Sequence, residues 1–410
     1  MLNALKKIGV VFMAILLTTT MGCVGGNNNE NTQADRLTDS PLSNTYKLLT
    51  NKKKLTIGYI GGSITLGTSA GDIRKSWTNL TTEFFREEFP KANIEMVNAG
   101  VSDTATNFGI FRLRNDLMNE NGHDMPDLVF VEFTSNDFIY ASQDEDDLKR
   151  QIESIFFNVW QCNPNAEIVV VSTNTGNFIS RTLYKDLCEY YGITFVDVGF
   201  ALRKAMRDKK SDTEGDIYYY TTDNLHPSAK GYEVYLEEIK KVIKPLITNL
   251  EIKDNKLKDY GKSAPAAQSD YLILNPSVIT AEKFSITESA KLTDKKISLS
   301  QFGNNLTQAP AEFTKSSLAI NGKATITAEF SGSALGVAMM LDKMGFEMRW
   351  RVDGGEWKEF AVNEKSWAFQ RYRHPQVFMM EHELSDGKHT IVIEFSENTD
   401  ILLGGLLVNM

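Results

Sequence analysis

Cysteine and histidine are scarce in this chain, with three and five copies among 410 residues. They are also scattered, and no Cys/His spacing suggests a zinc site, which weakens any metal hypothesis. Basic charge is short as well. Lys and Arg number 44 against 53 Asp and Glu, and a net charge of −9 leaves no electrostatic footprint for nucleic acid. One glycine-rich stretch, "TIGYIGGSITLGTSAG" from Thr56 to Gly71, lacks what a phosphate loop requires. It has no Gly-Lys-Ser/Thr ending, no G-x-G-x-x-G spacing for a dinucleotide, and no G-x-S-x-G elbow, because Thr65 takes the place of the last glycine.

What is present is an ordinary globular composition, 42% hydrophobic and 24% charged. A length of 410 residues exceeds a usual single core and predicts two compact domains with some unstructured sequence. At the start, Lys6 and Lys7 precede "IGVVFMAILL", an apolar run too short to span a bilayer comfortably. This reads as an export signal. The following "TTTMGC" resembles the lipobox of bacterial lipoproteins, with Gly22 before Cys23 and Thr20 where Leu is more usual. The expectation is a signal peptide over 1–23, a lipid attached at Cys23, and a polar tether over 24–50. The protein would then be extracytoplasmic and membrane-anchored, or secreted if Cys23 is not acylated. Cys162 and Cys188 remain, to pair as a disulfide or stay as thiols.

From Leu55 to about Ile247, short apolar runs alternate with segments of helical period. Strands are predicted at "LTIGYI", "NIEMVN", "DLVFVEF", "EIVVVS" and "ITFVDV", and helices at stretches such as "WTNLTTEFFREEF" and "DDLKRQIESIFFNVW". Such alternation predicts a doubly wound α/β domain over 51–250, with a five-stranded parallel sheet and sites at the carboxyl ends of its strands. A linker is expected over 251–270. Beyond it the period becomes two: "FEMRWRVDGGEW" puts Phe346, Met348, Trp350 and Val352 on one face before an Asp353-Gly354 turn. A second turn at Asp386-Gly387 joins "MMEHEL" to "HTIVIEF". A jelly-roll-like β-sandwich over 271–410 is the expectation.

Ser63 falls just past the first strand. A serine hydroxyl is a poor nucleophile unless a base takes its proton, and "DNLHP" supplies Asp223 and His226 three residues apart. Acyl transfer also needs hydrogen-bond donors where negative charge develops. Gly100 in "NAGVSDTATN" and Asn136 in "EFTSNDF" follow the second and third strands and can furnish them.

With these blocks in this order, the region resembles the SGNH hydrolase superfamily, the GDSL esterases and lipases, in a variant with "GGSIT" for the better-known GDSL. The resemblance implies a flavodoxin-like α/β/α fold with Ser63 as nucleophile, His226 as general base and acid, and Asp223 as its orienting carboxylate. It also implies an oxyanion hole from the N–H groups of Ser63 and Gly100 with the Asn136 amide, and neither metal nor organic cofactor. Asp103, where glycine is frequent, and Thr134, for a usual glycine, bear on the shape of the acyl pocket.

Several further residues read as structural. Asp137 is expected to hold the Asn136 loop, Arg112 and Arg114 to pair on a helix surface, and His123 to lie in a surface loop. Glu132 is divided between loop anchoring and site support. Trp350, Trp357 and Trp367 are read as sandwich core, with stacking on sugar rings as the alternative. The functional expectation is a serine carboxylesterase that removes acetyl from carbohydrate, with an O-acyltransferase and a non-catalytic glycan-binding lipoprotein as alternatives.

Overall fold

A computed structural model describes residues 40–410 except 52, 119–124, 141–143, 174–177, 213–218, 224, 253, 288–289, 296, 298–312, 315, 342–344 and 363–374. The export signal, Cys23, His123 and Trp367 lie outside the described residues.

The first domain contains five parallel strands: β1 (Lys54–Gly61), β2 (Asn93–Gly100), β3 (Leu128–Glu132), β4 (Glu167–Ser172) and β5 (Thr194–Asp197). Their order in the sheet is β2-β1-β3-β4-β5. This flavodoxin-like order reverses direction at β1 and β3, so a crevice opens at their carboxyl ends. Helices α1 (Ser43–Thr50), α2 (Ser63–Leu66), α3 (Trp77–Glu88), α4 (Thr106–Leu117), α5 (Thr134–Tyr140), α6 (Glu145–Cys162), α7 (Phe178–Tyr191), α8 (Val198–Asp212) and α9 (Ala229–Ile243) are placed along or across it. Strand residues such as Ile57, Tyr59 and Phe130 pack toward α3 and α9, while Ile60, Val129 and Val131 pack toward α4 and α6. Covered on both faces, the strands read as continuous apolar runs.

Helix α6 shows the local logic. Asp144 caps it by accepting from Asp147 N–H, Glu145, Asp146 and Asp147 complement its positive end, and Leu148, Ile152, Ile155 and Val159 bury one stripe.

The packed domain begins earlier than the expected tether allows. Leu42, Leu48 and Leu49 are buried, and the Glu167 carboxylate accepts the Asn44 and Thr45 N–H groups, each at 2.8 Å. Residues 40–50 are therefore part of the fold. Nor is 251–270 a free linker. It forms α10 (Tyr260–Ser263), buries Tyr260, and is held to α6 where Glu153 accepts the Gln268 and Ser269 N–H groups at 2.8 Å. Cys162 and Cys188 are free thiols.

The second domain is an antiparallel sandwich of β6 (Pro276–Thr280), β7 (Ser285–Ile286), β8 (Ala290–Thr293), β9 (Ser317–Asn321), β10 (Ala324–Ser331), β11 (Ala334–Leu341), β12 (Phe346–Val352), β13 (Lys358–Val362), β14 (Pro375–Glu381), β15 (Lys388–Phe395) and β16 (Asp400–Asn409). One sheet runs β13-β12-β15-β10-β7; the other runs β14-β11-β16-β9-β8, with β6 also on β16. The Asp353-Gly354 hairpin forms as read, both residues left-handed at φ 51° and 72°. The Asp386-Gly387 turn does not make a hairpin: β14 pairs with β11, whereas β15 pairs with β12 and β10, so that turn carries the chain between sheets.

Strands β10, β12 and β15 alternate buried and exposed residues along most of their length, but β11 and β16 are buried almost throughout. Both of their faces are covered. One packs on the opposite sheet through Val337, Met339, Leu406 and Val408; the other packs on the α/β domain, where Ala334, Ala338, Val377 and Leu407 join one core with Phe108 and Ile110. Trp350 belongs to the sandwich core, and its indole N–H donates to Glu381. The Trp357 ring carries the guanidinium groups of Arg349 and Arg351 at 4.5 and 4.6 Å from its centre.

Candidate active site

Ser63 is the first residue of α2, directly beyond β1 and only 8% exposed. As the first helical residue its N–H has no partner within the helix. The two glycines before it are not left-handed; Gly62 has φ −86° and ψ −151°. They are required by crowding instead. A Cβ on Gly61 would lie 2.1 Å from Thr65 Oγ1 and 2.4 Å from Glu132 O, and one on Gly62 would lie 2.4 Å from Asn136 Nδ2.

Ser63 Oγ lies 2.8 Å from His226 Nε2, and His226 Nδ1 lies 2.6 Å from Asp223 Oδ2. A carboxylate only accepts, so Nδ1 carries the imidazole proton and Nε2 is left to accept from the serine hydroxyl. The D-x-x-H spacing works because one carboxylate does two jobs: Asp223 Oδ1 accepts the Leu225 and His226 N–H groups at 3.0 and 2.7 Å, while Oδ2 holds the ring. Burial acts to raise the Asp223 pKa, but the His226 N–H, the imidazole and the Leu225 N–H together hold it below its ordinary value.

The histidine loop is fastened to the serine loop at two further points. Tyr232 on α9 donates to Thr68 O at 2.7 Å, and Thr222 Oγ1 donates to Ser69 Oγ at 2.7 Å. Ser69 is itself left-handed, at φ 69°.

Asn136, on α5 just past β3, is 6% exposed and donates one amide hydrogen to Thr104 O at 2.8 Å. That bond joins the third strand's loop to the second's. Gly100 is where the structure departs from expectation. Its N–H donates to Asn98 Oδ1 at 2.9 Å, and a Cβ there would lie 2.2 Å from Leu66 N. Gly100 therefore serves the close packing of β2 on α2, and its amide is spent on the side chain two residues back. The left-handed residue of this loop is Asp103, at φ 59°.

Two buried carboxylates lie beneath. Glu132 accepts from Thr65 Oγ1 at 2.8 Å and Thr173 Oγ1 at 2.7 Å, so it braces the serine helix. Burial pushes its pKa up to about 7 against the pull of those hydroxyls. Asp137 accepts from the Thr106 N–H, the Thr106 hydroxyl and the Tyr184 hydroxyl, tying α5 to the start of α4. Arg112, read from sequence as a surface residue, is 2% exposed in the floor of the site. Arg114 reaches the other domain and donates to Leu274 O at 2.7 Å. Among the described residues no group of three His, Cys, Asp or Glu side chains is placed to hold a metal ion.

A serine hydrogen-bonded to an imidazole, itself held by a carboxylate, can attack a carbonyl, and donors at neighbouring strand ends can receive the resulting charge. Residues 59–234 match the GDSL-like lipase/acylhydrolase family. No curated protein sequence matches the chain. Among solved structures, a two-domain esterase active on acetylated mannans superposes with a TM-score of 0.66 at 16% identity, over 90% of this chain and 95% of that one. A second structure of a two-domain esterase active on acetylated mannans, co-crystallized with mannopentaose, gives 0.65 at 17% identity, over 90% and 94%. These likenesses extend the shared fold across both domains. Over residues 59–234 the chain thus carries a domain of the GDSL-like lipase/acylhydrolase family, and it is a carboxylic ester hydrolase.

Proposed function

We propose that this protein is an extracytoplasmic serine esterase that removes acetyl groups from O-acetylated carbohydrate. The unbroken series Ser63, His226, Asp223 is the observation that carries the reading. Ser63 Oγ attacks the ester carbonyl carbon while its proton passes to His226 Nε2. The charge on the carbonyl oxygen is received by the Ser63 N–H, by the second hydrogen of the Asn136 amide, and by the backbone of residues 102–104 in place of Gly100, since the Val101 N–H is held by Gly61 O. His226 then returns the proton to the leaving sugar oxygen, giving an acetyl-enzyme. Water repeats the sequence in reverse and releases acetate.

The carbohydrate substrate is supported by the mannan-active esterases that share the whole two-domain fold. The sandwich packs on the start of α4, just beyond the 101–104 loop, where Asn107 donates to Val377 O on β14 at 3.3 Å.

The membrane anchor at Cys23 belongs to the same proposal. Helix α1 is fastened to Glu167 at the amino end of β4, so residue 40 enters the domain on the side opposite Ser63. A chain tethered there presents its site away from the membrane and toward polymers.

The deciding experiment compares wild-type protein and Ser63→Ala on acetylated mannan, acetylated xylan and p-nitrophenyl esters of rising chain length. Acetate release confined to wild type and highest for polysaccharide supports the reading. Equal rates for Ser63→Ala would sink the mechanism, and a preference for long acyl chains would sink the substrate. Transfer of acetyl to an added oligosaccharide faster than to water would make the enzyme an acyltransferase.

A further inference from the structure

The buried guanidinium of Arg112 touches the ends of all three strands that carry the site. Nη2 donates to Gly61 O at 2.8 Å, one peptide before the Gly62–Ser63 turn, and to Thr104 Oγ1 at 3.1 Å. Nη1 donates to Ala99 O on β2 at 2.6 Å and to Asp116 Oδ2 at 2.6 Å. The group also lies 5.8 Å from the centre of the Phe133 ring, which immediately follows β3.

Nothing about a helix-surface ion pair requires this. The bond to Asp116, one turn along α4, is the pairing the spacing suggests, and it offsets the charge from a partly exposed position. The other contacts reach across the fold to backbone carbonyls at the ends of β1 and β2, where Gly61 O also accepts the Val101 N–H at 3.0 Å, so that the guanidinium is a second donor on the last pairing of these strands. A planar fork can hold two divergent carbonyls and a hydroxyl at fixed mutual angles, which an ammonium on a flexible stem cannot.

We infer that Arg112 is a positioning residue: it fixes the distance between the Ser63 turn and the 101–104 loop, so that nucleophile and oxyanion donors address one carbonyl together. The inference rests on the esterase reading of the same site. Thr104 is the hinge of the arrangement, because its hydroxyl meets Arg112 while its carbonyl receives the Asn136 amide. Arg112 thereby acts on Asn136 through one residue, without touching substrate.

The test uses the full chain with Arg112→Lys, Arg112→Ala and Thr104→Val, read by kcat and KM on p-nitrophenyl acetate, thermal unfolding, and amide hydrogen exchange over 61–66 and 99–105. Arg112→Lys should fold, lose kcat about tenfold to a hundredfold with KM within about twofold, and exchange faster at 99–105. Thr104→Val should lose roughly threefold in the same parameter. Millimolar guanidinium should restore part of the kcat of Arg112→Ala without raising its Tm. Wild-type kcat and unchanged exchange in Arg112→Lys and Thr104→Val would overturn the inference, whether or not Arg112→Ala folds. An inert wild type would instead overturn the esterase reading, and the exchange measurement would still decide whether Arg112 sets the loop.

Discussion

Gly62 and Asn136 are in contact: a single methyl group on the glycine would stand 2.4 Å from the asparagine Nδ2 and 2.9 Å from its Cγ. The residue before Ser63 is small because an amide from another strand end occupies the space. Gly62→Ala should therefore fold, displace Asn136, and lower kcat by about a hundredfold with little change in KM. Steady-state kinetics on p-nitrophenyl acetate beside Asn136→Ala checks this, since both variants should fail in the same parameter.

Asp223 fixes the imidazole tautomer through Oδ2 while its other oxygen shapes the loop. Asp223→Asn keeps the loop bonds but can present an N–H to Nδ1, favouring the tautomer that cannot accept from Ser63. A loss in kcat on the order of a thousandfold is expected, with near-native Tm. A loss under tenfold in the purified variant would show that the carboxylate is dispensable.

Glu132 titrates in the folded protein at about 7, against an ordinary value of 4.5. Between those two values the folded state holds a proton that the unfolded chain has released, so stability is fullest below the lower value and falls as pH rises through the window. Glu132→Gln removes this contribution. Its Tm should decline less than that of wild type between pH 4.5 and pH 7, as differential scanning calorimetry at a series of pH values would show. Asp137 and Glu167, also raised by burial, leave a residual slope in the variant.

The two domains share one apolar core through Ala334, Ala338, Val377 and Leu407 on one side and Phe108 and Ile110 on the other. Wild-type protein should unfold in a single calorimetric transition. Ala338→Asp buries an unpaired carboxylate at that junction, and should cost at least about 3 kcal/mol or separate the unfolding of the two domains. A native single transition in that variant would show that the domains are not held by this face.

Much of this is legible in the sequence, for reasons that are local. The five strands were visible because a sheet covered on both faces needs uninterrupted apolar runs. Asp223 and His226 could be paired because three residues suffice for one carboxylate to hold both the loop and the ring. Even the diversion of Gly100 had a local signal, since an asparagine two residues earlier often takes a backbone N–H. The continuous apolar runs of β11 and β16 carry the signal of strands covered on both faces, which the two-residue period read over 271–410 does not use.

Residue types and spacing thus determined which groups could perform the chemistry, and in which fold. The tertiary structure alone decided that Arg112 lies inside, because its partners Gly61 and Ala99 stand 51 and 13 residues away and meet it only once β1, β2 and α4 have packed. It alone placed Glu132 beneath the serine helix, and Gly62 against Asn136. Periodicity along a helix tells which residues share a face, but what that face meets is set by the crossover of the chain, which no local pattern encodes.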